Sequence, residues 1–227
     1  MKEILTRTFF YCSRDGKRED HITFTYYGHS GVRMTFKGLE IYVDPYLEVF
    51  DYTGQPKADL IVISHDHDDH LDLKAISLIR KDSTEFVGNK DVQRVLKEAH
   101  VLNNGDNMEW KGINIKAVPA YNIDHKNPET NEPFHPKGVG NGYIFDFDEF
   151  LAYFAGDTEF IPEMKDLPKE MNVVFLPNNL PYTMDDDMFI AAVNLLKPQI
   201  LFRYHYFDPI SKETEARIPE QISFVKP

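Results

Sequence analysis

The sequence predicts an α/β (α+β) protein in which two sheets pack face to face with helices on the outside. Three observations predict this class. The first third of the chain is rich in β-branched and aromatic runs separated by glycine-containing turns. From residue 60 onward, short apolar runs alternate with segments of helical spacing. The same alternation returns in the last third of the chain, so we expect a second sheet with its own helices.

The first third predicts an antiparallel meander. Strands are expected at residues 22–27, 32–36 and 39–43, because these runs are β-branched or aromatic and are separated by Gly28 with Gly31 and by Gly38. A buried strand at 60–63 comes next. Leu73, Ile76 and Ile79 then have helical spacing, with Asp72 as the expected N-cap. A strand at 85–87, a helix at 91–99 and a hairpin of strands 108–110 and 113–118 complete this part.

Residues 119–142 are rich in proline, asparagine and glycine and show almost no periodicity, which predicts a long functional loop. Strands are expected after it at 143–147, 150–154, 173–176 and 200–202. Thr183 and Asp186 resemble a capping box, so a helix is expected to start there and to end before Pro198. A further helix is expected after Ser211.

Composition favours a packed globular protein that acts on a small molecule. The 227 residues suit one domain or two tightly fused halves, and we expect a single domain over residues 1–227. The net charge of −12 argues against a broad basic face, so no nucleic-acid partner is expected. Cys12 is the only cysteine, which excludes an intrachain disulfide. Neither a signal-peptide pattern nor an apolar run of about 20 residues is evident, so a cytoplasmic protein without membrane contact is expected. The sequence leaves the oligomeric state open.

The strongest functional signal directly follows the apolar run at residues 60–63. It holds three imidazoles and three carboxylates in seven residues: Ser64, His65, Asp66, His67, Asp68, Asp69 and His70. In an extended segment His65 and His67 point the same way, so both can reach one cation. Asp69 and His70 lie on the next bend and can reach a second cation. A solvated surface turn would explain a single His–Asp pair, but it explains the whole pattern poorly.

Two more residues of metal-ligand type follow apolar strands later in the chain. Asp157 comes after the strand at 150–154, and His205 comes after the strand at 200–202. Paired catalytic metals lie about 3.5–4 Å apart, so a group must bridge them, and Asp157 is the natural bridge. Imidazoles and carboxylates without a thiolate favour zinc, with iron or manganese as alternatives.

These residues resemble the metallo-β-lactamase superfamily. The resemblance is carried by His65-x-His67-x-Asp69-His70, then Gly156-Asp157-Thr158, then His205. Further motifs are similar to the branch of zinc-dependent hydrolases that includes ascorbate-6-phosphate lactonase-like proteins: Gly28-His29-Ser30, Val43-Asp44-Pro45, Val118-Pro119-Ala120-Tyr121-Asn122 and Ile161-Pro162-Glu163-Met164. The resemblance implies a four-layer αββα sandwich with the site at one edge of the two sheets.

The resemblance also implies a role for each ligand. The first of two divalent metal ions would be bound by His65 and His67, and the second by Asp69, His70 and His205, with Asp157 as the bridge. The first ion needs one more histidine. Relatives often have it directly after the strand at 113–118, but this chain has Ala120-Tyr121-Asn122 there. His125 and His135 are both candidates. We favour His135, because it is flanked by proline and lies just before the next strand.

The functional expectation is a metal-dependent hydrolase. A hydroxide activated by two zinc ions would attack a small-molecule ester, lactone or phosphodiester, and Asp69 would orient the water or carry its proton. His29, in a tight turn, is expected to contact substrate or to support a metal ligand. Arg203 lies two residues before His205 and so shares its face of a strand. It is expected to meet an anionic substrate group or an acidic side chain that supports a metal ligand, with a structural ion pair as the alternative.

Three other functions compete with this one. A di-iron redox protein of this fold usually has a carboxylate at the position of His67 and a fused flavin domain, and this chain has neither. A nuclease that processes transfer RNA shares the histidine pattern, but the acidic charge balance disfavours it. A non-catalytic metal-binding protein would normally lack several ligands, and nearly all are present here.

Overall fold

The computed structural model describes residues 4–12 and 19–226, which form two compact units. The first unit extends to Leu102, and the second begins at Asn103. Each unit contains one seven-stranded mixed sheet and a small number of helices.

The seven strands of the first sheet lie in the same order as in the chain: β1 (Leu5–Cys12), β2 (Glu19–Gly28), β3 (Gly31–Phe36), β4 (Leu39–Val43), β5 (Leu60–Val62), β6 (Glu85–Gly88) and β7 (His100–Val101). The strands from β1 to β4 are antiparallel, as the predicted meander requires. The strands from β4 to β7 are parallel. Two of the parallel crossovers contain the helices α1 (Leu73–Ile79) and α2 (Lys90–Val95).

The structure of the first unit differs from the sequence prediction at both edges of its sheet. Neither β1 nor β7 is predicted, although β1 pairs with β2 over eight residues. Helix α2 ends at Val95, four residues earlier than predicted. The main chain leaves the helix at Leu96, and the N–H of Ala99 donates back to the Leu96 carbonyl at 2.9 Å. This turn brings the chain back to form β7.

Helix α1 packs its apolar face on the parallel part of the first sheet. Ala75, Ile76 and Ile79 are buried in one cluster with Ile61 and Ile63. Ile76 and Ile79 thus pack as their helical spacing predicts, whereas Leu73, the first residue of the predicted apolar face, is 49% exposed. The helix begins after Asp72 as predicted, because that carboxylate accepts hydrogen bonds from the N–H groups of the first turn.

The second sheet has its seven strands in the order β14-β13-β12-β11-β10-β9-β8. Their bounds are β8 (Asn107–Trp110), β9 (Ile113–Ala120), β10 (Gly140–Phe147), β11 (Phe150–Phe154), β12 (Val173–Pro177), β13 (Ile200–Tyr204) and β14 (Ser223–Val225). The pairs from β8 to β11 are antiparallel, and those from β11 to β14 are parallel. A 3-10 helix (Pro162–Asp166), α3 (Asp186–Leu196) and α4 (Lys212–Ala216) complete the unit.

The predicted start of α3 is wrong by two residues. Its N-cap is Asp185, which accepts a hydrogen bond from the N–H of Met188 at 2.7 Å. Thr183 is buried instead, and its hydroxyl accepts a hydrogen bond from the N–H of Asn179 at 3.0 Å. A tertiary contact therefore uses the side chain that the capping-box pattern assigns to the helix. The long loop is confirmed, but it is shortened to residues 121–139 because β9 and β10 extend into its ends.

The apolar face of α3 contributes Phe189, Val193 and Leu196 to the same cluster as Val174 and Leu176 of β12. Helix α3 is the longest described helix, with 11 residues. Within residues 4–12 and 19–226, none of the helices has both the length and the apolar character that a membrane crossing requires.

Replacement of Asp72 with alanine should lower the free energy of unfolding by about 1–2 kcal/mol, because α1 loses its cap. The main-chain N–H of Leu47 also loses its acceptor, Asp72 Oδ2, at 2.9 Å. Urea denaturation followed by circular dichroism measures the change. Asp82→Ala, on the exposed turn after α1, is the matched control and should change the value by less than about 0.5 kcal/mol. Equal midpoints for the two variants would contradict the capping role.

Candidate metal centre

The histidine-rich segment at residues 64–70 begins just beyond the end of β5 and divides into an inner and an outer face. Ser64, His65 and His70 are buried, whereas Asp66 is exposed. A tight turn follows, because the N–H of His70 donates to the carbonyl of His67 at 3.0 Å. The ring of His65 lies 4.4 Å from that of His67 and 4.1 Å from that of His70, measured between centroids. The three imidazoles are thus gathered together, and Asp66 points away as expected.

Asp44 holds the His70 side chain. It is buried at the end of β4, and its Oδ2 lies 2.8 Å from Nδ1 of His70. Its two oxygens also accept hydrogen bonds from Ser64, at 2.8 Å from the main-chain N–H and 2.7 Å from the hydroxyl. A carboxylate on Nδ1 orients an imidazole so that Nε2 can serve as a metal ligand.

Asp44 belongs to one of the motifs quoted from the sequence, but no role is predicted for it there. Asp44 directly follows β4 and Ser64 comes shortly after β5, and in the structure these two strands are parallel neighbours. Residues beyond the carboxyl ends of adjacent parallel strands lie at the same edge of a sheet. The pairing of β4 with β5 was not predictable from the strand pattern alone.

His29 supports Asp69. In the turn between β2 and β3, His29 is buried, and its Nε2 lies 2.9 Å from Asp69 Oδ2. The Asp69 side chain remains 35% exposed, so solvent reaches this carboxylate. Of the two expectations for His29, the structure favours support of a metal ligand. Candidate ligand atoms of His29, Asp69 and His70 lie within 4.8 Å of one another.

In the second unit, Asp157 follows β11 through a turn that requires glycine. Gly156 has φ +68°, and a Cβ at this position would lie 2.5 Å from the carbonyl oxygen of Asn141. The N–H of Gly156 also receives support, since it donates to the hydroxyl of Tyr204 at 2.6 Å. This turn fixes the direction in which the buried Asp157 carboxylate leaves the strand.

His135 and His205 both approach the same oxygen of Asp157. Nε2 of His205 lies 2.9 Å from Oδ2, and Nε2 of His135 lies 3.3 Å from it. All three side chains are buried. On the other side of its ring, Nδ1 of His135 lies 2.6 Å from Oδ1 of Asn122. His205, at the end of β13, has a left-handed backbone with φ +47°.

His125, the alternative candidate, is held elsewhere. Its Nδ1 lies 2.9 Å from Oε1 of Glu159 and 3.1 Å from the carbonyl oxygen of Thr183. The structure therefore brings His135, and not His125, to the Asp157 carboxylate. Which histidine binds a metal ion stays a prediction, now with geometric support for His135.

Glu159 is a buried carboxylate that the sequence analysis missed. It accepts hydrogen bonds from the main-chain N–H groups of Ile123, Asp124 and His125 at 2.7–2.9 Å. The Asn122 side chain donates to it as well, at 3.0 Å. Burial raises the pKa of Glu159, but the hydrogen bonds from Asp124, Asn122, His125 and Ile123 together outweigh this effect and hold the pKa below its usual range.

Arg203 lies in β13 with its guanidinium directed at main-chain and amide oxygens. It donates from Nε to Asn178 Oδ1 at 2.8 Å, from Nη2 to the Asn178 carbonyl at 3.1 Å and from Nη1 to the Asp208 carbonyl at 2.7 Å. These bonds tie together the segments that follow β12 and β13. Contact between Arg203 and substrate stays a prediction.

The donor set of each unit fits a divalent metal ion. The first unit offers His65, His67, Asp69 and His70, and the second offers His135, Asp157 and His205. Neutral imidazole nitrogens and carboxylate oxygens are the usual ligands of zinc and of other first-row metals. A buried carboxylate that faces two imidazole nitrogens is also stabilised by a cation. The protein therefore has His/Asp clusters able to bind metal.

Residues 23–205 match the family described as the Beta-lactamase superfamily domain. The chain belongs to this family. The superfamily inferred from the motifs is thus confirmed, while the branch with ascorbate-6-phosphate lactonase-like proteins stays a prediction.

Relatives across the family bear names that agree with the predicted class. A UPF0173 metal-dependent hydrolase from Ignicoccus hospitalis is 30% identical over 83% of this chain and 85% of its own length. A crystal structure from Parabacteroides distasonis, assigned as a metal-dependent hydrolase, is 38% identical, with a TM-score of 0.87 over 97% of this chain and 98% of that one. The metallo hydrolase Igni18 from Ignicoccus hospitalis is 26% identical, with a TM-score of 0.74 over 90% of this chain and 94% of its own. These relatives confirm the enzyme class, a metal-dependent hydrolase.

The comparisons also confirm the fold class, since two mixed sheets with few helices match structures of this superfamily. The fold does not identify the metal. The di-iron β-hydroxylase CmlA from Streptomyces venezuelae has a TM-score of 0.64 at 16% identity over 80% of this chain and 44% of its own. A likeness at that identity shows the fold alone.

Replacement of Asp44 with asparagine should weaken zinc binding about 10- to 100-fold, because His70 loses the carboxylate that orients it. An asparagine cannot accept hydrogen bonds at both positions where Asp44 does. Competition with a chromophoric chelator measures the affinity. The matched control is Asp59→Asn, another carboxylate of the first unit, which accepts from the N–H of Glu40 and from Lys81. Equal zinc affinities in the two variants would contradict the role assigned to Asp44.

Proposed function

We propose that this protein hydrolyses a small-molecule ester, lactone or phosphodiester with two zinc ions. The observation that carries the proposal is a set of ligand-type side chains at the ends of strands in each unit. His65, His70, His135, Asp157 and His205 are buried, while His67 is exposed and Asp69 is partly exposed. Family membership supports it, because relatives that match more than four fifths of the chain are named metal-dependent hydrolases.

In this proposal the ligands of each metal ion are those that the resemblance implies. His65, His67 and His135 would hold the first ion, while Asp69, His70 and His205 would hold the second. Asp157 would be a ligand of both ions. Its Oδ2 lies 3.3 Å from Nε2 of His135, a proposed ligand of the first ion, and 2.9 Å from Nε2 of His205, a proposed ligand of the second. Zinc is favoured because the set consists of imidazoles and carboxylates without a thiolate.

Bound zinc ions would supply a hydroxide nucleophile at neutral pH and would polarise the oxygen of the bond under attack. The residues of the chain do the rest. Asp69 is the catalytic carboxylate in our proposal, because it is partly exposed and can accept a proton from the attacking water. His29 keeps Oδ2 of Asp69 in one position, because its Nε2 lies 2.9 Å from that oxygen. The proton then passes to the leaving oxygen as its bond to carbon or phosphorus breaks.

A small-molecule substrate is favoured over nucleic acid. The net charge of −12 provides no broad basic surface for a phosphate backbone. Asp66 and Asp68 are exposed beside His67, so the rim of the first ligand set is acidic as well. A cytoplasmic location, as the sequence analysis expects, is part of this proposal.

A screen of the zinc-loaded protein against lactones, phosphodiesters, thioesters and β-lactams tests the function. We expect turnover of a lactone or a phosphodiester. Asp157→Ala should lower this turnover by more than about 100-fold, because loss of a metal ligand should cost more than loss of a hydrogen bond to a ligand, which costs up to about 100-fold. Asp166→Ala, on an exposed position of the same unit, is the matched control and should retain full activity. Activity that survives in Asp157→Ala would come from a contaminant or another site, and it would contradict the proposal.

His135→Ala should reduce the bound zinc from about two ions per chain to about one, because the first ion loses one of its three histidines. His125→Ala should keep about two ions, since His125 is held by Glu159. Metal analysis of both proteins after gel filtration gives the stoichiometry. The reverse pattern would show that His125 is the ligand. Analysis of protein purified without added zinc would also reveal iron, if the native metal is iron.

A further inference from the structure

The carboxamide of Asn122 lies between Glu159 and His135, and its neighbours determine which way it faces. Nδ2 lies 3.0 Å from Glu159 Oε1 and 2.9 Å from the carbonyl oxygen of Tyr182. Both neighbours only accept hydrogen bonds, so the amide nitrogen must face them. Oδ1 lies 3.0 Å from the main-chain N–H of His135, which only donates. A single orientation of the carboxamide satisfies all three neighbours.

This orientation determines the tautomer of His135. Oδ1 of Asn122 also lies 2.6 Å from Nδ1 of His135. A carboxamide oxygen can only accept, so Nδ1 must carry a proton, and Nε2 is the nitrogen that can give its lone pair to a metal ion. Nε2 faces Asp157, whose Oδ2 is 3.3 Å away. An imidazole nitrogen and a carboxylate oxygen placed in this way form the donor pair that a divalent cation requires.

We propose that Glu159 is a positioning residue that, through Asn122, holds His135 in the one tautomer able to bind a metal ion through Nε2. Its functional meaning rests on the proposed role of His135 as a ligand. The tautomer itself is a property of the metal-free protein. Glu159 lies two residues after Asp157, so one short segment supplies both a metal ligand and the support for a second ligand.

A carboxylate is required at this position because four donors converge on it. Oε1 accepts from the His125 main-chain N–H and from Asn122 Nδ2, and Oε2 accepts from Ile123 and Asp124. A glutamine of the same shape offers one oxygen and turns an NH₂ group toward the remaining donors. The segment that begins at Asn122 would then lose its fixed position.

The first test uses the wild-type, metal-free protein. Long-range ¹H–¹⁵N correlation spectra of ¹⁵N-histidine-labelled protein at pH 8 report the tautomer of each ring, and His135→Gln identifies the His135 signals. We expect a proton on Nδ1 of His135, whether or not Nε2, which faces the Asp157 carboxylate, carries one as well. A bare Nδ1, with the proton on Nε2 alone, would overturn the proposal whatever the variants show.

The second test compares Glu159→Gln with Glu163→Gln. Glu163 also restrains this loop, because it accepts from the hydroxyl of Tyr121 at 2.8 Å and from Nζ of Lys137 at 2.6 Å, but its contacts do not include Asn122. Glu159→Gln should lose the single tautomer and about 10- to 100-fold in zinc affinity, while Glu163→Gln should keep both. A folded Glu159→Gln protein with the wild-type tautomer and affinity would overturn the proposal.

Asn122→Ala separates positioning from folding if Glu159→Gln does not fold. It leaves the main-chain hydrogen bonds of Glu159 in place and removes the Asn122 carboxamide, with its hydrogen bonds to Glu159, Tyr182 and His135. Loss of the single tautomer in this variant supports the proposal, and its retention overturns it. Because no metal is needed for these spectra, a wild-type protein with the expected tautomer but no zinc binding would contradict the proposed function and still support this inference.

Discussion

The site depends on one constraint, which is that a buried imidazole must present a defined nitrogen. An oxygen placed at Nδ1 keeps the ring from rotating and leaves Nε2 directed at a metal position. This arrangement recurs in both units, with an oxygen supplied each time by a neighbouring polar side chain. The three pairs are Ser64 with His65 at 3.0 Å, Asp44 with His70 at 2.8 Å and Asn122 with His135 at 2.6 Å. Ser64 must accept from His65, because its own hydroxyl proton is donated to Asp44.

Two buried carboxylates complete these pairs: Asp44 accepts from the Ser64 hydroxyl and also contacts His70 directly, and Glu159 accepts from Asn122. Asp44 is 1% exposed and Glu159 is fully buried, and an ionised carboxylate without partners would cost several kcal/mol at such positions. Each is stabilised by N–H and O–H donors from segments that are distant in the chain. Loss of a single donor leaves part of that cost uncompensated, so the networks favour one arrangement of the ligands. The carboxylates thus serve geometry more than overall stability.

The sequence predicts the ligands better than the groups that hold them. The histidine cluster and Asp157 follow apolar strands, and that pattern is local enough to be recognised. Asp44, Asn122 and Glu159 act through contacts over 13 to 37 positions of the chain, which no local pattern encodes. The partner of a buried polar side chain depends on which strands pair, and that pairing is a property of the whole sheet.

The same limit explains the differences in the fold. The meander, α1 with its cap and the central strands follow from periodicity, because their side chains pack where the period places them. Thr183 has a capping pattern, but its hydroxyl bonds to Asn179, so a tertiary contact overrides the local signal. The edge strands β7 and β14 have only two and three residues, too few for a period to be visible.

His29, Asp44 and His205 share an unfavourable backbone, with φ values of 50°, 41° and 47°. A side chain with a Cβ in this left-handed region costs on the order of 1 kcal/mol relative to glycine. Glycine would relax the main chain at all three positions, but it would remove the imidazole or carboxylate side chain that each residue contributes to the site. At Asp44 a glycine would also leave the buried N–H and hydroxyl of Ser64 without their acceptor, at about 1–3 kcal/mol for each group, so the strained main chain is retained because its side chain is needed.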